Sequence, residues 1–440
     1  MILSGWGQYP KIDANLNAPR TFQDLKSTVL QSNCIARGNG RAYGDSAINS
    51  QNTIHMKNFN RILSFDNKNG QLVVEAGVML SDVIKVFLPQ GWFTYVTPGS
   101  KFVTIGGMIA ADVHGKNHHK DGSFGKYVDW IDLIVSDGTV CRCSKTENTK
   151  LFEWTIGGMG LTGIIIRAAF KLRPINSAWI QQRTLIAKNI TQAMQLLEQS
   201  LDTTYSAAWI DCLQKGNSLG RSLVMLGEHA NVNRIPLKYQ NNPLQIPKKK
   251  KINITFNLPN LILNKFSART FNAFYYWNGR LQDENKLVDL ESYFYPLDSI
   301  IGWNKIYGRR GFAQFQCVIP LSNSKKGLSE LLEATSKAGV GSFLAVLKRF
   351  GNQSSRFSFP MEGYTLALDY PINKKTLALM NELDSITLKH KGRCYLAKDS
   401  RMSRNVFSQS DPRSGFYKNY RKVYGLDVNF SSSQSERLGL

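Results

Sequence analysis

The sequence predicts an α+β protein of two domains with antiparallel sheets. The part up to about Pro174 is rich in glycine and contains short runs typical of strands. The part that follows has, between residues 312 and 389, a β-α-β-β-α order. That order is typical of an antiparallel sheet with helices on one face. A chain of 440 residues, 42% of them hydrophobic, is long enough for two or three domains.

In the first part, apolar alternation and spacing predict five elements. Leu72–Gly77 and Ile164–Leu172 are rich in branched residues, so both predict strands. Leu80–Phe87 has the apolar spacing of an amphipathic helix. Trp130–Gly138 predicts a strand that ends in an Asp-Gly turn and is followed by a returning strand.

In the second part, the same reasoning predicts alternating helices and strands. Helical spacing predicts helices at Ile190–Leu201, Lys325–Ala338 and Lys374–Lys389. Strands are predicted at Ala207–Asp211, Ser222–Leu226, Phe312–Pro320, Phe343–Arg349 and Tyr364–Tyr370. Residues 230–300 show only weak periodicity, and no internal repeat stands out. The Lys248–Lys251 run suits equally well a solvated loop and a segment that contacts an anion or a membrane.

Charge and composition exclude several classes of protein. Lys and Arg number 55 against 32 Asp and Glu, a net charge of +23, which favours nucleic acid, an anionic membrane or a phosphorylated substrate. Aromatic and branched residues throughout the chain exclude a disordered protein. No apolar stretch approaches the roughly 20 residues of a transmembrane helix, and the N-terminal residues lack the pattern of a secretory signal. Six scattered cysteines without a C-x-x-C pair predict reduced thiols, no zinc site and a cytoplasmic location.

The first of three glycine-rich segments is Arg37–Asp45, RGNGRAYGD. Its glycines allow positive φ and bring backbone N–H groups close to an anion, while Arg37 and Arg41 add positive charge. These features suit a pyrophosphate. The G-x-G-x-x-x-G spacing is not that of the dinucleotide fingerprint, and the simpler alternative is a tight loop.

The second segment, Thr97–His119, combines a Pro-Gly turn, a Gly-Gly pair and a polar cluster. Its small residues would let a flat ligand lie against the backbone. His114 and His118 have a spacing found in metal sites. Because glycines break the segment, we expect no metal there, and His118 and His119 are more simply structural.

The third segment, Gly157–Gly163, matches G-x-G-x-x-G by letter. A nicotinamide site requires that motif to open a helix, yet the residues from Ile164 onward are β-branched and alternating. The acid expected about 20 residues later is also missing, since that stretch reads Gln181-Gln-Arg-Thr184. The segment therefore predicts a close-approach turn for some other cofactor.

In order and spacing, the three segments resemble the flavin domain of the vanillyl-alcohol oxidase superfamily and, within it, the decaprenylphosphoryl-β-D-ribose 2-oxidases. The resemblance depends on RGNGRAYGD, VTPGSKFVTIGGMIAADVHGKNHHKDGSFG, GGMGLTGIIIRA and GRCYLAKDSR, and it covers most of the chain except about residues 230–290. It implies a two-domain FAD-binding fold with an antiparallel-sheet substrate domain. The implied FAD-binding domain is 1–176, the substrate-binding domain is 177–392, and the segment 393–440 returns to the FAD domain.

The resemblance also implies the residues that hold the cofactor. They are Arg37, Gly38, Asn39, Gly40, Arg41, Ala42, Tyr43, Gly44, Pro98, Gly99, Ser100, Thr104, Gly106, Gly107, Ala110, Ala111, Asn117, Ile164 and Tyr395. In covalent relatives a histidine of the first segment bonds to the flavin. Arg41 stands at that position here, which implies non-covalent FAD.

By the same resemblance, the reaction oxidises the C2′ hydroxyl of a polyprenylphosphoryl-β-D-ribose. The C2′ hydride goes to the flavin and the hydroxyl loses its proton. The implied catalytic residues are Lys398, His114 and Tyr43, and the implied substrate-binding residues are Lys116, Gln314, Gln316, Lys348, Thr365 and Lys398. A short-chain dehydrogenase/reductase partner would reduce the keto sugar and complete epimerisation to the arabinose. The basic charge suggests peripheral association with the inner face of a bacterial plasma membrane, and nucleic-acid binding is not expected.

Two positions depart from mycobacterial members of the family: Ala367 replaces a pocket cysteine, and Thr365 replaces an asparagine. Covalent inhibitors that need that thiol should fail here. The Lys248–Lys251 run and an aromatic run are expected to flank the entry of the lipid tail; the aromatic residues are Phe271, Phe274, Tyr275, Tyr276 and Trp277. The alternatives are an oxidase of a soluble sugar, alditol or sugar lactone, and a basic binding protein that keeps a flavin fold without turnover.

Overall fold

The computed structural model describes residues 1–31, 33–259, 265–342 and 344–440. In the first part of the chain a six-stranded sheet is built on the long strand Ile164–Pro174, which pairs antiparallel with each of its neighbours. The strands, in order, are Val140–Ser144, Val128–Ile134, Ile164–Pro174, Gln71–Glu75 and Ile62–Asp66, with Trp92–Thr94 also paired to Ile164–Pro174. The strands predicted in this part are confirmed.

The helix Leu80–Phe87 packs on this sheet by the face that its sequence predicts. Leu80, Val83, Ile84 and Phe87 recur at helical spacing, and all four are buried in the core of the sheet. The remaining helices of this part are Phe22–Gln31, Ile105–Ala110, His118–Asp121 and Thr149–Thr155. Its short strands are Ile2–Ser4, Lys11–Asp13, Leu16–Asn17, Ile35–Arg37 and Thr53–His55.

An eight-stranded antiparallel sheet follows, and most of it consists of two β-α-β-β units. The first unit, residues 179–229, comprises Trp179–Ala187, helix Ile190–Glu198, Tyr205–Ile210 and Ser222–His229. The second unit, residues 312–371, comprises Phe312–Pro320, helix Leu321–Ala338, Ala345–Phe350 and Gly363–Pro371. The units meet where Tyr205–Ile210 pairs with Ala345–Phe350, so the strand order is mirrored about the centre of the sheet. The shared element order escapes sequence inspection because the residues themselves do not repeat.

Each unit carries one further strand on its outer edge. Asn285–Asp289 pairs with the first unit, and Arg393–Cys394 pairs with the second. Helix Lys374–Lys389 packs with Leu321–Ala338 and begins at an Asn373 capping box. The predicted β-α-β-β-α order and the α+β fold class are confirmed.

Two predictions for this region need revision. The helix of the second unit begins at Leu321 rather than Lys325, because Pro320 ends the strand with a φ of −55° that suits a helix start. The weakly periodic stretch 230–300 contains a 17-residue helix, Lys265–Leu281. It also contains Leu237–Gln240, Leu290–Phe294 and the parallel pair Ile252–Asn253 and Ile300–Ile301. Phe343, the predicted start of a strand, lies outside the described residues.

The C-terminal segment returns to the first part of the chain. Its helices are Arg404–Ser410, Arg413–Val423, Leu426–Asn429 and Ser433–Leu438. The Tyr417 hydroxyl donates to the Gly158 carbonyl at 2.7 Å, and Cys34 N–H donates to the Asn429 carbonyl at 2.8 Å. The segment thereby carries Tyr395 and Lys398 across from the large sheet to the glycine-rich loops. In the described parts of the chain no helix has the length and apolarity to cross a bilayer.

Candidate active site

A cavity of about 570 Å³ lies between the three glycine-rich segments and the second β-α-β-β unit. The first part contributes Gly38–Tyr43, Pro98–Ser100, Thr104, Gly106, Gly107, Ala110, Ala111, His114, Met159, Gly160 and Gly163. The facing wall comprises Gln314, Gln316, Val346, Lys348, Ala367, Tyr395, Ala397 and Lys398. Most residues predicted for the site therefore meet at one cavity.

The first glycine-rich loop packs backbone against backbone. Tyr43 N–H donates to the Ala397 carbonyl at 2.9 Å, and a Cβ on Gly38 would lie 2.1 Å from Thr104 Oγ1. Gly40 adopts a φ of +62°, which favours glycine. The loop therefore presents main-chain atoms to the cavity, as the sequence predicts.

The two arginines of this loop have different positions. The Arg37 guanidinium donates to the Ser4 carbonyl at 2.7 Å and does not line the cavity, so its contacts brace the loop. Arg41 lines the cavity, with its guanidinium 3.9 Å from the centroid of the Trp6 ring. Burial lowers the pKa of both. Of the pair, Arg41 is the one within reach of a pyrophosphate in the cavity.

The second segment supplies a flat, small-residue wall. Thr104 caps the helix Ile105–Ala110 by accepting from Gly107 N–H at 3.3 Å. A Cβ on Gly106 would lie 2.9 Å from Ala76 Cβ, whereas a Cβ on Gly99 would meet no atom within 4 Å. The backbone at Gly106 thus packs tightly against its neighbours, and the backbone at Gly99 stays open toward the cavity.

The third segment is the turn that its glycines predict. Gly160 and Gly163 line the cavity with φ values of +79° and +146°, and a Cβ on Gly163 would lie 2.5 Å from the Ile134 carbonyl. Strand Ile164–Pro174 follows directly, so no helix opens here. The structural basis for excluding a nicotinamide fingerprint is confirmed.

This cavity fits FAD. Its walls are glycine and alanine backbone where a planar ring system needs close approach, and Arg41 supplies positive charge for a pyrophosphate. His114 lines the cavity and is only 7% exposed, yet its Nδ1 atom has no partner among the described residues. A buried polar atom without a partner is costly, and an acceptor on a bound ligand would satisfy it.

Lys398 is one of the buried polar residues that line the facing wall. Its Nζ lies 3.7 Å from the centroid of the Tyr43 ring and forms no hydrogen bond or ion pair with a described residue. Gln314 donates to the Asp369 carboxylate and lies 3.5 Å from the Tyr43 hydroxyl. Burial lowers the pKa of Lys398, while nearby Asp369 opposes that shift. Burial also raises the pKa of Asp369 and of Tyr43.

Lys348 is a second buried amine on this wall. It projects from strand Ala345–Phe350 and, among the described residues, its Nζ likewise has no hydrogen bond or ion pair. Burial lowers its pKa to about 8. Two unpaired lysines in one enclosed cavity favour an anionic ligand, because buried charge needs a counter-charge.

A chain of hydrogen bonds fixes the state of His114. The Thr365 hydroxyl donates to the Cys317 carbonyl at 2.8 Å, so its oxygen is left to accept from Gln316 Nε2 at 3.1 Å. The same amide nitrogen lies 3.1 Å from His114 Nε2 and donates to it. His114 is therefore neutral with its proton on Nδ1. Burial, reinforced by Lys348, holds the His114 pKa well below its usual range.

Six of the residues expected at the site do not line the cavity: Arg37, Gly44, Lys116, Asn117, Ile164 and Thr365. The Lys116 amine instead donates to the Tyr293 carbonyl and lies 4.0 Å from the centroid of the Tyr293 ring. Asn117 donates to the Tyr95 carbonyl at 2.7 Å. Thr365 acts one layer behind the wall, through Gln316.

The neighbouring histidines have protein partners. His118 Nε2 contacts Gln353 Oε1 at 2.8 Å, and His119 Nε2 contacts the Thr203 carbonyl at 2.7 Å. Among the described residues, no group of three or more His, Cys, Asp or Glu has the geometry to hold a metal. These contacts agree with a structural role for both histidines.

Sequence reasoning missed several residues of the site, including Trp6, Asp298 and Asp369. Trp6 and Asp298 line the cavity, and the charge of the Asp369 carboxylate raises the pKa of Lys398 against the effect of burial. Alternation along Gly363–Pro371 puts Thr365, Ala367 and Asp369 on one face of the strand. That period of two was the signal that could have found Asp369.

Comparison with known proteins agrees with this geometry. Residues 18–144 match the model of a family described as an FAD binding domain. The chain is 33% identical to the decaprenylphosphoryl-beta-D-ribose oxidase of Mycolicibacterium smegmatis, over 100% of this chain and 97% of the relative. The chain belongs to the decaprenylphosphoryl-β-D-ribose oxidase family. The resemblance seen in the sequence is thereby confirmed.

More distant relatives share a smaller part. L-gulonolactone oxidase of Mus musculus is 30% identical over 31% of each chain, and cytokinin dehydrogenase 5 of Arabidopsis thaliana is 34% identical over 23% of this chain and 19% of the relative. This member of the decaprenylphosphoryl-β-D-ribose oxidase family is an FAD-dependent oxidoreductase, and FAD is its cofactor.

In this member of the decaprenylphosphoryl-β-D-ribose oxidase family, Arg437 connects the first glycine-rich loop to the segment that contains Lys398. The Arg437 guanidinium contacts Asp45 at 2.8 Å and Asp399 at 2.9 Å, and both carboxylates are almost fully buried. Asp45 ends the first glycine-rich loop, and Asp399 directly follows Lys398. A partly buried arginine that pairs with two buried carboxylates fixes two segments relative to each other.

Proposed function

We propose that this protein uses non-covalently bound FAD to oxidise the C2′ hydroxyl of a polyprenylphosphoryl-β-D-ribose to the 2′-keto sugar. The observation that carries the proposal is the pair of unpaired, buried amines of Lys398 and Lys348 on one cavity wall, opposite the glycine-rich loops. A phosphorylated sugar has an anionic group for one amine and a reacting hydroxyl for the other. The name of the full-length relative from Mycolicibacterium smegmatis supports the same substrate class.

Each amine has a separate task in this proposal. Lys348 binds the phosphate, because its charge has no counter-charge among the described residues. Lys398 accepts the proton of the sugar hydroxyl at Nζ, since burial lowers its pKa and makes a neutral amine accessible. The Tyr43 ring and Asp369 stabilise the ammonium group that forms.

Other residues orient the sugar and exclude water. Bound FAD supplies the hydride acceptor for the C2′ hydrogen. Gln314 and Gln316 line the cavity with carboxamides held by Asp369 and Thr365, so they can position sugar hydroxyls. His114 offers its Nδ1–H to a ligand oxygen. Tyr395 donates to the Ala111 carbonyl at 2.9 Å and stacks on Phe359, which fixes its ring beside the cavity.

The proposal also assigns cofactor binding and substrate binding to different parts of the chain. Residues 1–176 and 393–440 would hold FAD, and residues 177–392 would hold the substrate. A keto sugar needs a second enzyme for reduction at C2′, and a short-chain dehydrogenase/reductase suits that step. Because the substrate is a lipid and the protein carries a net charge of +23, we propose that it works in the cytoplasm, at the inner face of the plasma membrane.

An anaerobic absorbance titration tests the function. Purified protein with its flavin is mixed with a short-chain prenylphosphoryl-ribose, and bleaching of the oxidised flavin band is followed by stopped flow. We expect bleaching with this substrate and none with the same ribose lacking prenyl phosphate. Equal bleaching by a soluble polyol or sugar lactone would replace the proposal with a soluble-sugar oxidase. Flavin that no sugar reduces would replace it with a binding protein without turnover.

A further inference from the structure

The helix Lys265–Leu281 presents a continuous apolar face to solvent. Phe274, Trp277 and Leu281 follow one another at helical spacing and are 70%, 53% and 84% exposed. The opposite face is buried: Tyr276 is 5% exposed, and Ala268 is 1% exposed against Gly341. Single exposed apolar residues are ordinary, but a contiguous stripe of them marks an interaction surface.

The charge on this helix is of one sign. Arg269 and Arg280 are exposed, and the 17 residues contain no aspartate or glutamate. The Arg280 guanidinium lies 4.6 Å from the centroid of the Trp277 ring. Aromatic and leucine side chains on one face with basic residues beside them are typical of helices that lie in the membrane interface.

The N-terminal end of the helix lies near residues that line the cavity, and its C-terminal half packs over the first unit, where Gly279 meets Leu223. Ala268 packs against Gly341, and next to Gly341 the Ser342 hydroxyl donates to the carbonyl of Leu344 at 2.7 Å. Leu344 lines the cavity. Ile301, another residue of the cavity lining, is 47% exposed. Exposed apolar groups therefore occur on the rim as well as on the helix.

We propose that the helix Lys265–Leu281 docks on the surface of an anionic bilayer, with Phe274, Trp277 and Leu281 inserted among the lipid headgroups. This inference rests on the proposed function, because a lipid-linked sugar must leave a bilayer to reach the cavity. Docking by this helix would bring the bilayer to the side of the molecule where the N-terminal end of the helix adjoins the cavity lining, which shortens the path of the prenyl chain through water. The lack of acidic residues on the helix and the net charge of +23 favour anionic lipid as the occupant.

Vesicle co-sedimentation of the full chain tests this surface. The vesicles are phosphatidylcholine with or without 30% phosphatidylglycerol, and the variant is F274S/W277S. The matched control is Phe416→Ser, because Phe416 is also 70% exposed but belongs to the C-terminal helix Arg413–Val423. We expect wild type and Phe416→Ser to bind the anionic vesicles, and F274S/W277S to bind at least about tenfold more weakly.

A second readout separates docking from catalysis. Flavin reduction by a water-soluble, short-chain prenylphosphoryl-ribose should be unchanged in F274S/W277S, which also shows that the variant folds. Reduction by a long-chain substrate embedded in vesicles should slow by a similar tenfold factor. Unaltered vesicle binding by F274S/W277S, or an equal loss in Phe416→Ser, would overturn the docking surface. Failure of wild type to bind anionic vesicles would overturn it too, and would point to a partner protein on this face. The docking result does not depend on turnover, so it stands or falls separately from the proposed function.

Discussion

The two β-α-β-β units of the large sheet share an element order but differ in what they present to the cavity. The second unit contributes Gln314, Gln316, Lys348 and Ala367 to the lining. Within the first unit, whose residues 179–229 are all described, no residue contributes. Duplicated architecture therefore does not bring duplicated chemistry.

The strand added to each outer edge accounts for the difference. Beside the second unit, Arg393–Cys394 leads directly to Tyr395 and Lys398, and so connects that unit to the cofactor loops. Beside the first unit, Asn285–Asp289 leads to a buried aromatic cluster around Tyr293. The polar side chains of the cavity wall therefore belong to the second unit, where the C-terminal segment returns to the cofactor loops. The first unit has a structural role.

A buried lysine lies over a tyrosine ring near each unit. Substituting these two lysines in turn should give the largest difference in the rate of flavin reduction. Lys398 lies 3.7 Å from the Tyr43 centroid at the cavity, and Lys116 lies 4.0 Å from the Tyr293 centroid beside the first unit. We expect Lys398→Ala to slow flavin reduction roughly 10²- to 10⁴-fold, the usual contribution of a side chain that takes up a proton in the transition state. The measurement is stopped-flow absorbance with a short-chain substrate.

The companion variant is Lys116→Ala. It removes the donor to the Tyr293 carbonyl, so it should lower the free energy of unfolding by about 1–3 kcal/mol. Flavin reduction in the folded variant should change by less than threefold. Equal slowing in both variants would contradict the assignment of the chemistry to the second unit.

Lys348 gives the next largest effect, through substrate affinity and its pH dependence. Burial lowers its pKa to about 8, so the free enzyme loses this charge as the pH rises through that value. We expect kcat/KM for a phosphate-bearing substrate to fall above pH 8, because kcat/KM reports the free enzyme. Lys348→Arg should remove this fall, since arginine keeps its charge.

The matching neutral variant is Lys348→Met. It should raise KM roughly 10- to 100-fold, since a hydrogen bond to a charged group contributes about 1.5–3 kcal/mol. Its kcat should change little. A fall in kcat at unchanged KM would assign Lys348 to the chemical step instead of phosphate binding.

A smaller effect compares one buried glutamine from each unit. Gln316 Nε2 donates to Thr365 Oγ1 at 3.1 Å and also to His114. Gln182 Nε2 donates to Thr184 Oγ1 at 2.9 Å, and Gln182 does not line the cavity. Gln316→Ala should lower kcat/KM about tenfold, because it frees the His114 ring and leaves its buried Nε2 without a hydrogen-bond donor. Gln182→Ala should cost similar stability in urea unfolding but less than twofold in kcat/KM. A tenfold loss in both would show that these glutamines act only through the fold.

Much of the fold was predictable from the sequence, because buried strands and helices repeat apolar residues with a fixed period. The helix Lys265–Leu281 was not. Its buried face consists of Ala268, Asn272 and Tyr276, whereas Phe274 and Trp277 are exposed. The large apolar side chains of this helix therefore do not mark the face that packs on the protein. A helix that turns its aromatic side chains outward cannot be found by searching for a buried apolar face.

The cofactor loops were predictable for a different reason. Glycines in a loop record where the backbone needs positive φ or close approach, and Gly40, Gly160 and Gly163 show that conformation. Arg437 was not predictable, since its contact to Asp45 spans 392 residues and has no local pattern. Long-range ion pairs of this kind become visible only when the chain is folded.

The smallest expected change in rate comes from a new thiol in each unit. Ala367 lines the cavity, and Ala208 is fully buried in the core of the first unit. In Ala367→Cys, flavin reduction should stay within about twofold of wild type, because the reaction needs no thiol at this position. The new thiol should react with a thiol-directed compound that fits the cavity, as intact-protein mass spectrometry would measure.

In Ala208→Cys the thiol should not react, since burial in an apolar core raises the pKa of a thiol and blocks access. The native cysteines do not line the cavity, and Cys141 and Cys394 are only partly buried, so labelling of wild type sets the background that Ala367→Cys must exceed. Labelling of Ala208→Cys as fast as Ala367→Cys would mean that the first unit also opens to solvent, and the contrast between the two units would then fail.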